Sequence, residues 1–186
     1  MSMTLANLQY AVKSRLAPDE SSPAYTALHN DNITRWANEK TSEVILALEP
    51  QHYQALIDDG AALSFSLSGL DRKAALPSDY LKYVSIRVTI GTGLKDCFVF
   101  EHPKEYNRYD SRNFVLTPVT TKPIAKIMDG YIYVRPNTVT AGDIDYVKNH
   151  PTLSGSQGTI FSSVGDDLLI KLIVEEAMKV MELVVD

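Results

Sequence analysis

Ile124-Ala125-Lys126-Ile127-Met128-Asp129-Gly130-Tyr131-Ile132-Tyr133-Val134-Arg135-Pro136 is the stretch that decides the fold. Two runs rich in β-favouring residues flank Asp-Gly. That dipeptide tolerates positive φ at both centres of a type I′ turn, whose twist matches that of the paired strands. The stretch therefore reads as a hairpin, and Pro136 closes it because proline cannot donate to a ladder. Downstream, Asp143 to Val147 reads as one more strand, stopped before Pro151. Upstream, Val84, Ile86, Val88 and Ile90 alternate, Gly91-Thr92-Gly93 is a turn, and Cys97 to Phe100 is a strand. Leu63, Phe65 and Leu67 alternate with Ser64, Ser66 and Ser68, the period of a strand with one buried face. Leu76 to Leu81 fits a short helical turn opened by Pro77 or Ser78, and residues 101 to 113 fit a short helix or a surface loop.

The ends of the chain change period. Leu5, Leu8, Val12 and Leu16 share a helix face, which Thr4 can cap and Pro18 stops. Residues 18 to 29 read as a loop. A second helix starts at Asn30 or Asp31, either able to cap it, and carries Ile33, Trp36, Ala37, Val44 and Leu48. After Glu49-Pro50 a third helix holds Tyr53, Leu56 and Ile57 and ends at Gly60, a left-handed cap. Residues 152 to 165, rich in Gly and Ser, read as a flexible connector to a last helix from Asp166 to Val185. The expected class is α+β, with N-terminal helices, a β-hairpin-rich middle and a long apolar C-terminal helix. Its strands form hairpins rather than a parallel sheet. One domain covers 1–186, with a helical part, 1–60 plus 166–186, and a β-rich part, 61–151.

The 18 basic and 23 acidic residues give a net charge of −5, which argues against a general nucleic-acid binder. Cys97 is the only cysteine, so no intramolecular disulfide can form. No signal-peptide pattern opens the sequence, and no apolar run approaches the ~20 residues of a membrane helix. The expectation is a soluble chain made in a reducing cytoplasm. Catalytic signatures are missing too. His29, His52, His102 and His150 lack metal-ligand spacing and read as surface or loop residues. Cys97 sits in an apolar strand, where cysteine behaves as a small hydrophobe. The run Lys104, Tyr106, Arg108, Tyr109, Arg112 mixes base and aromatic as single-strand binders do, but Glu101, Glu105 and Asp110 dilute it. No catalytic, cofactor-binding or metal-binding residue is assigned, and no cofactor is expected.

The last helix carries the functional information. Projected at 100° per residue, Asp167, Lys171, Glu175, Lys179, Glu182 and Asp186 form one charged stripe. Asp167 to Lys171 and Glu175 to Lys179 are i, i+4 pairs with the acid first. Apolar residues fill the remaining arc, about twice the ~100° that an ordinary surface helix buries. Either the helix is central in its own domain, or one side packs on a neighbouring subunit. In the second case Met178, Met181, Val184 and Val185 are the candidate subunit or partner interface. Glu176 joins them: it falls inside the arc and needs a cationic partner from another segment or subunit.

Three features together resemble a known family. Leu76-Pro77-Ser78-Asp79-Tyr80-Leu81-Lys82 precedes an alternating strand. The Ile127 to Pro136 hairpin is followed by Asp145-Tyr146-Val147-Lys148-Asn149-His150-Pro151, and an apolar helix opens with Asp166-Asp167-Leu168-Leu169. The N-terminal helices, with Ile33-Thr34-Arg35-Trp36-Ala37-Asn38-Glu39, are similar too. This succession resembles the head–tail connector proteins of tailed bacteriophages, also called adaptor, neck-ring or head-completion proteins. The resemblance implies a virion protein that forms a ring, commonly a dodecamer, beneath the portal of the capsid. Its partners would be copies of itself, the portal, the tail or next ring, and packaged DNA passing without sequence-specific binding. No membrane is implied. The middle β region is larger than in the purely helical members. The alternatives are another tail-completion or assembly protein, and a small enzyme whose site is assembled only in the fold.

Overall fold

The computed structural model describes residues 3–17, 28–109, 121–155 and 157–185, with backbone alone from 182 onward. The chain is mixed α+β, with helices and antiparallel sheets, and divides into two compact units. One comprises Met1–Leu56 and Asn149–Asp186; the other is Ile57–Lys148.

In the helical unit, α1 (Leu5–Leu16) is capped by Thr4, whose hydroxyl accepts from the Asn7 amide at 3.2 Å. Helix α2 (Asn30–Ala47) starts after His29, and no side chain caps it, contrary to the expected Asn30 or Asp31 cap. The last helix, labelled α4, runs Ser163–Val185 and packs on α2 and on α1. Leu8 and Val12 of α1, Ile33, Val44 and Ile45 of α2, and Leu169 and Ile173 of α4 are fully buried, at the three- and four-residue spacings that bring one helix face inward. The expected long apolar character of the last helix is not supported. Asp166, Asp167, Lys171, Glu175, Glu176 and Lys179 interrupt α4, and among the described residues no helix is long and apolar enough to cross a membrane.

The expected third helix is absent. Pro50–His52 and Gln54–Leu56 are single 3-10 turns, and strand β1 (Ile57–Ser64) begins at once. Gly60 does adopt positive φ, +75°, but inside a β-bulge: two residues of β1 face Asp145 alone on β9 (Ala141–Lys148). Its free amide donates to Asp145 Oδ1 at 2.7 Å. A local reading takes the glycine for a helix cap, because a bulge and a cap ask the same backbone of it.

The remaining strands are β2 (Ser66–Ser68), β3 (Asp71–Ala75), β4 (Tyr80–Ile90), β5 (Gly93–Asp96), β6 (Phe98–Phe100), β7 (Ile124–Met128) and β8 (Tyr131–Arg135). They form two sheets, β1-β9-β4-β5 and β2-β3-β8-β7-β6. Hairpin β7–β8 has the expected turn, with φ of +52° at Asp129 and +76° at Gly130. Hairpins account for only part of the sheets: β1–β9, β4–β9 and β3–β8 join strands distant in the chain, and β6 runs parallel to β7. The helix α3 (Pro103–Asn107) lies in the connection between them. Leu76 to Leu81 holds a single turn, closed by the Tyr80 amide on the Pro77 carbonyl, and β4 starts at Tyr80. Inward residues of both sheets, among them Leu63, Ile86, Val88, Ile132, Val134 and Ile144, form one core.

Candidate functional site

The candidate interface lies at the end of α4. Ala177 is fully buried, and the next four residues, Met178, Lys179, Val180 and Met181, are all exposed. Met178 is 50% exposed, Val180 39% and Met181 36%. Met178 and Met181 lie one turn apart on the same face. The side chains of Val184 and Val185 lie outside the described residues. Glu176 is half-buried. Its carboxylate is 3.6 Å from Lys40 of α2 and 3.6 Å from Lys179. Lys40 in turn holds Glu43 at 2.9 Å, and that hydrogen bond is the main reason its proton affinity is raised.

The expected i, i+4 pairs of α4 are replaced by others. Asp167 meets Arg15 of α1 at 3.6 Å, and Lys171 meets Glu175 at 3.9 Å. These exposed pairs contribute under about 1 kcal/mol each. Asp166 is buried at the first turn of α4 and accepts a hydrogen bond from the Thr159 hydroxyl. Burial raises its carboxyl above the usual range; the Thr159 bond opposes the shift without cancelling it.

The stretch read as a flexible connector is pinned instead. Thr159 donates its amide to the Met3 carbonyl, Leu153 donates its amide to Asn38, and the Ser162 amide bonds the His52 carbonyl. Of the four histidines, His29 and His102 are exposed and His52 is half-buried. His150, expected at the surface or in a loop, lies in a loop but is buried against Phe161, with a ring-centroid distance of 4.9 Å.

In the β unit, one cleft of about 310 Å³ is lined by Tyr83, Val84, Ser85, Ile86, Asp96, Cys97, Phe98 and Val99. Burial pushes the Cys97 thiol up to about 12, so at neutral pH it is a thiol and a poor nucleophile. No histidine lines this cleft.

In the base-and-aromatic run the tyrosines fold inward while Lys104 and Arg108 are exposed. Tyr106 is buried, Tyr109 packs on Phe100, and Arg112 lies outside the described residues. Over Tyr106 sits Arg135, which donates to Asp71 Oδ1 at 2.5 Å and to the carbonyls of Tyr106 and Tyr109. Lys126, also buried, reaches Asn107 Oδ1 at 3.2 Å and lies over the Tyr106 and Tyr133 rings. Burial lowers its proton affinity. This cluster escaped the sequence reading because Asp71 and Arg135 are 64 residues apart. The available signal was an arginine at the end of a strand otherwise apolar or aromatic. Among the described residues no group of His, Cys, Asp or Glu has the arrangement of a metal site. No protein-family model matches the chain, and no curated protein matches it.

Proposed function

We propose that the chain is a structural virion protein, without catalysis, that forms a ring joining the portal of a tailed-phage capsid to the tail. The ring would extend the DNA channel at the neck, after synthesis in the host cytoplasm. The observation that supports self-association is the overhang of α4. The inward face of α4 is buried as far as Ala177, and Met178, Val180 and Met181 beyond it meet solvent. Met178 and Met181, one turn apart on the same face, leave an apolar patch there. Such a patch is costly in water and is best covered by another copy. A closed ring requires a heterologous contact, one surface of each copy meeting a different surface of the next. The resemblance of Leu76–Lys82, the β7–β8 hairpin and the opening of α4 to connector proteins supports the place in the virion. A net charge of −5 suits a channel that DNA must pass without being held by released counterions. Electron microscopy of the purified chain tests the reading. Closed rings of one size are expected; single particles of monomer mass, with or without portal added, would overturn it.

A further inference from the structure

We propose that His150 is an acid-released clasp on residues 149–162, the stretch that leads from β9 into α4. The geometry leaves its ring one state. Nδ1 is 2.6 Å from the Pro151 carbonyl oxygen, and Nε2 is 3.2 Å from the Ile160 amide nitrogen. A carbonyl only accepts and an amide N–H only donates, so Nδ1 carries the proton and Nε2 presents its lone pair. The backbone thus dictates both the tautomer and the neutral form. A second proton would set an N–H of the ring against the N–H of Ile160, in a buried place facing Phe161. The clasp then opens: the bond spanning ten residues is lost, and the imidazolium finds water only by leaving its pocket.

Two titratable groups outside this stretch hydrogen-bond to it. His52 Nδ1 lies 2.9 Å from the Ser162 hydroxyl, which can both donate and accept. Asp166 accepts from Thr159, and its gain of a proton relieves a burial cost. Neither hydrogen-bonds the His150 ring. The three residues that touch that ring through the contacts above, Pro151, Ile160 and Phe161, carry no charge. Burial moves the ring below its ordinary value of 6.5, the Pro151 carbonyl opposing. The sign follows: a group whose folded-state affinity for protons is depressed withdraws stability as pH falls from 6.5 to its own lower midpoint.

The test is nuclear magnetic resonance on the full chain from pH 7.5 to 4.5, reading the His150 ring and the exchange protection of the Ile160 amide. His150→Gln is the control, because its side-chain oxygen can accept from Ile160 without titrating. In the wild type, protection of Ile160 is expected to fall about tenfold per pH unit below 6.5 and to level off at the ring's own midpoint. Ile132 in β8 should keep its protection, and His150→Gln should be flat at Ile160. An Ile160 amide that stays protected, an equal fall in His150→Gln, or a ring midpoint at or above 6.5 overturns the proposal. If His150→Gln does not fold, the wild type decides alone. A fall confined to that window supports the clasp; one that is absent or runs on below the ring's midpoint overturns it.

Discussion

Two carboxylates show how placement sets the sign of a residue's contribution. Asp145 is held below the usual carboxylate range, first by the Ser85 hydroxyl and then by the Gly60 amide and Arg87. Asp166 is raised, chiefly by burial. A raised acid favours folding only when protonated, so its share of stability appears as pH falls through its own midpoint and is complete below 3.8. Asp166→Asn, which can still accept from Thr159, should therefore raise the thermal midpoint at pH 7. The gain should shrink to nothing below pH 3.8, as read by calorimetry across that range. Arg135 and Asp71 make the opposite case, two charges that need each other. Their side chains are only 10% and 14% exposed, so Asp71→Ala leaves a buried guanidinium unpaired. Urea unfolding should show a loss of about 3–5 kcal/mol. A loss below about 1 kcal/mol would mean that the carbonyls of Tyr106 and Tyr109 suffice. None of these pairings was legible in the sequence, since each joins residues that only the fold brings together. The cysteine is the exception: its apolar strand already marked Cys97 as a small inert hydrophobe, and it packs partly buried against the core.

Elements were legible where one short-range rule governs them. The Asp129-Gly130 turn demands a backbone that few other residues tolerate, and β7–β8 formed within the expected limits. Thr4 capped α1 for the same kind of reason. The misreadings share a cause as well. Tyr53, Leu56 and Ile57 have helical spacing, but Ile57 is claimed by pairing with Val147 on β9, a partner 90 residues away. Gly60 then serves the bulge. Gly60→Ala keeps the side chain small yet forces positive φ on a residue with a Cβ, and nothing lies within 4 Å of the added atom. The cost is thus backbone strain alone, about 1 kcal/mol. Chemical denaturation should detect it; an unchanged midpoint would mean that the bulge relaxes. The parallel pairing of β6 with β7 was likewise out of reach, because it depends on the path of the α3 connection rather than on either strand.

For the whole molecule, both kinds of structure were legible in the sequence, with the β-rich part expected over 61–151. The chain in fact changes unit at 56/57 and 148/149. Both shifts follow from β1 pairing with β9, which draws 57–60 into the sheet and ends it at Lys148. Charge divides along the same seams. Residues 57–148 hold 12 basic and 11 acidic side chains, whereas the helical unit holds 6 and 12. Two substitutions on one helix separate core from interface. Ile173→Asp puts a charge among fully buried residues and should abolish folding, as seen by circular dichroism. Met178→Asp and Met181→Asp alter exposed positions. They should leave the folded monomer within about 0.5 kcal/mol of the wild type while blocking assembly.

The most direct measurement is the mass of the wild-type chain by light scattering after size-exclusion chromatography, over a hundredfold range of concentration. The account predicts a closed oligomer of many copies that grows at the expense of monomer and is lost in Met178→Asp. A mass of 20.7 kDa, the single chain, throughout the range would contradict it.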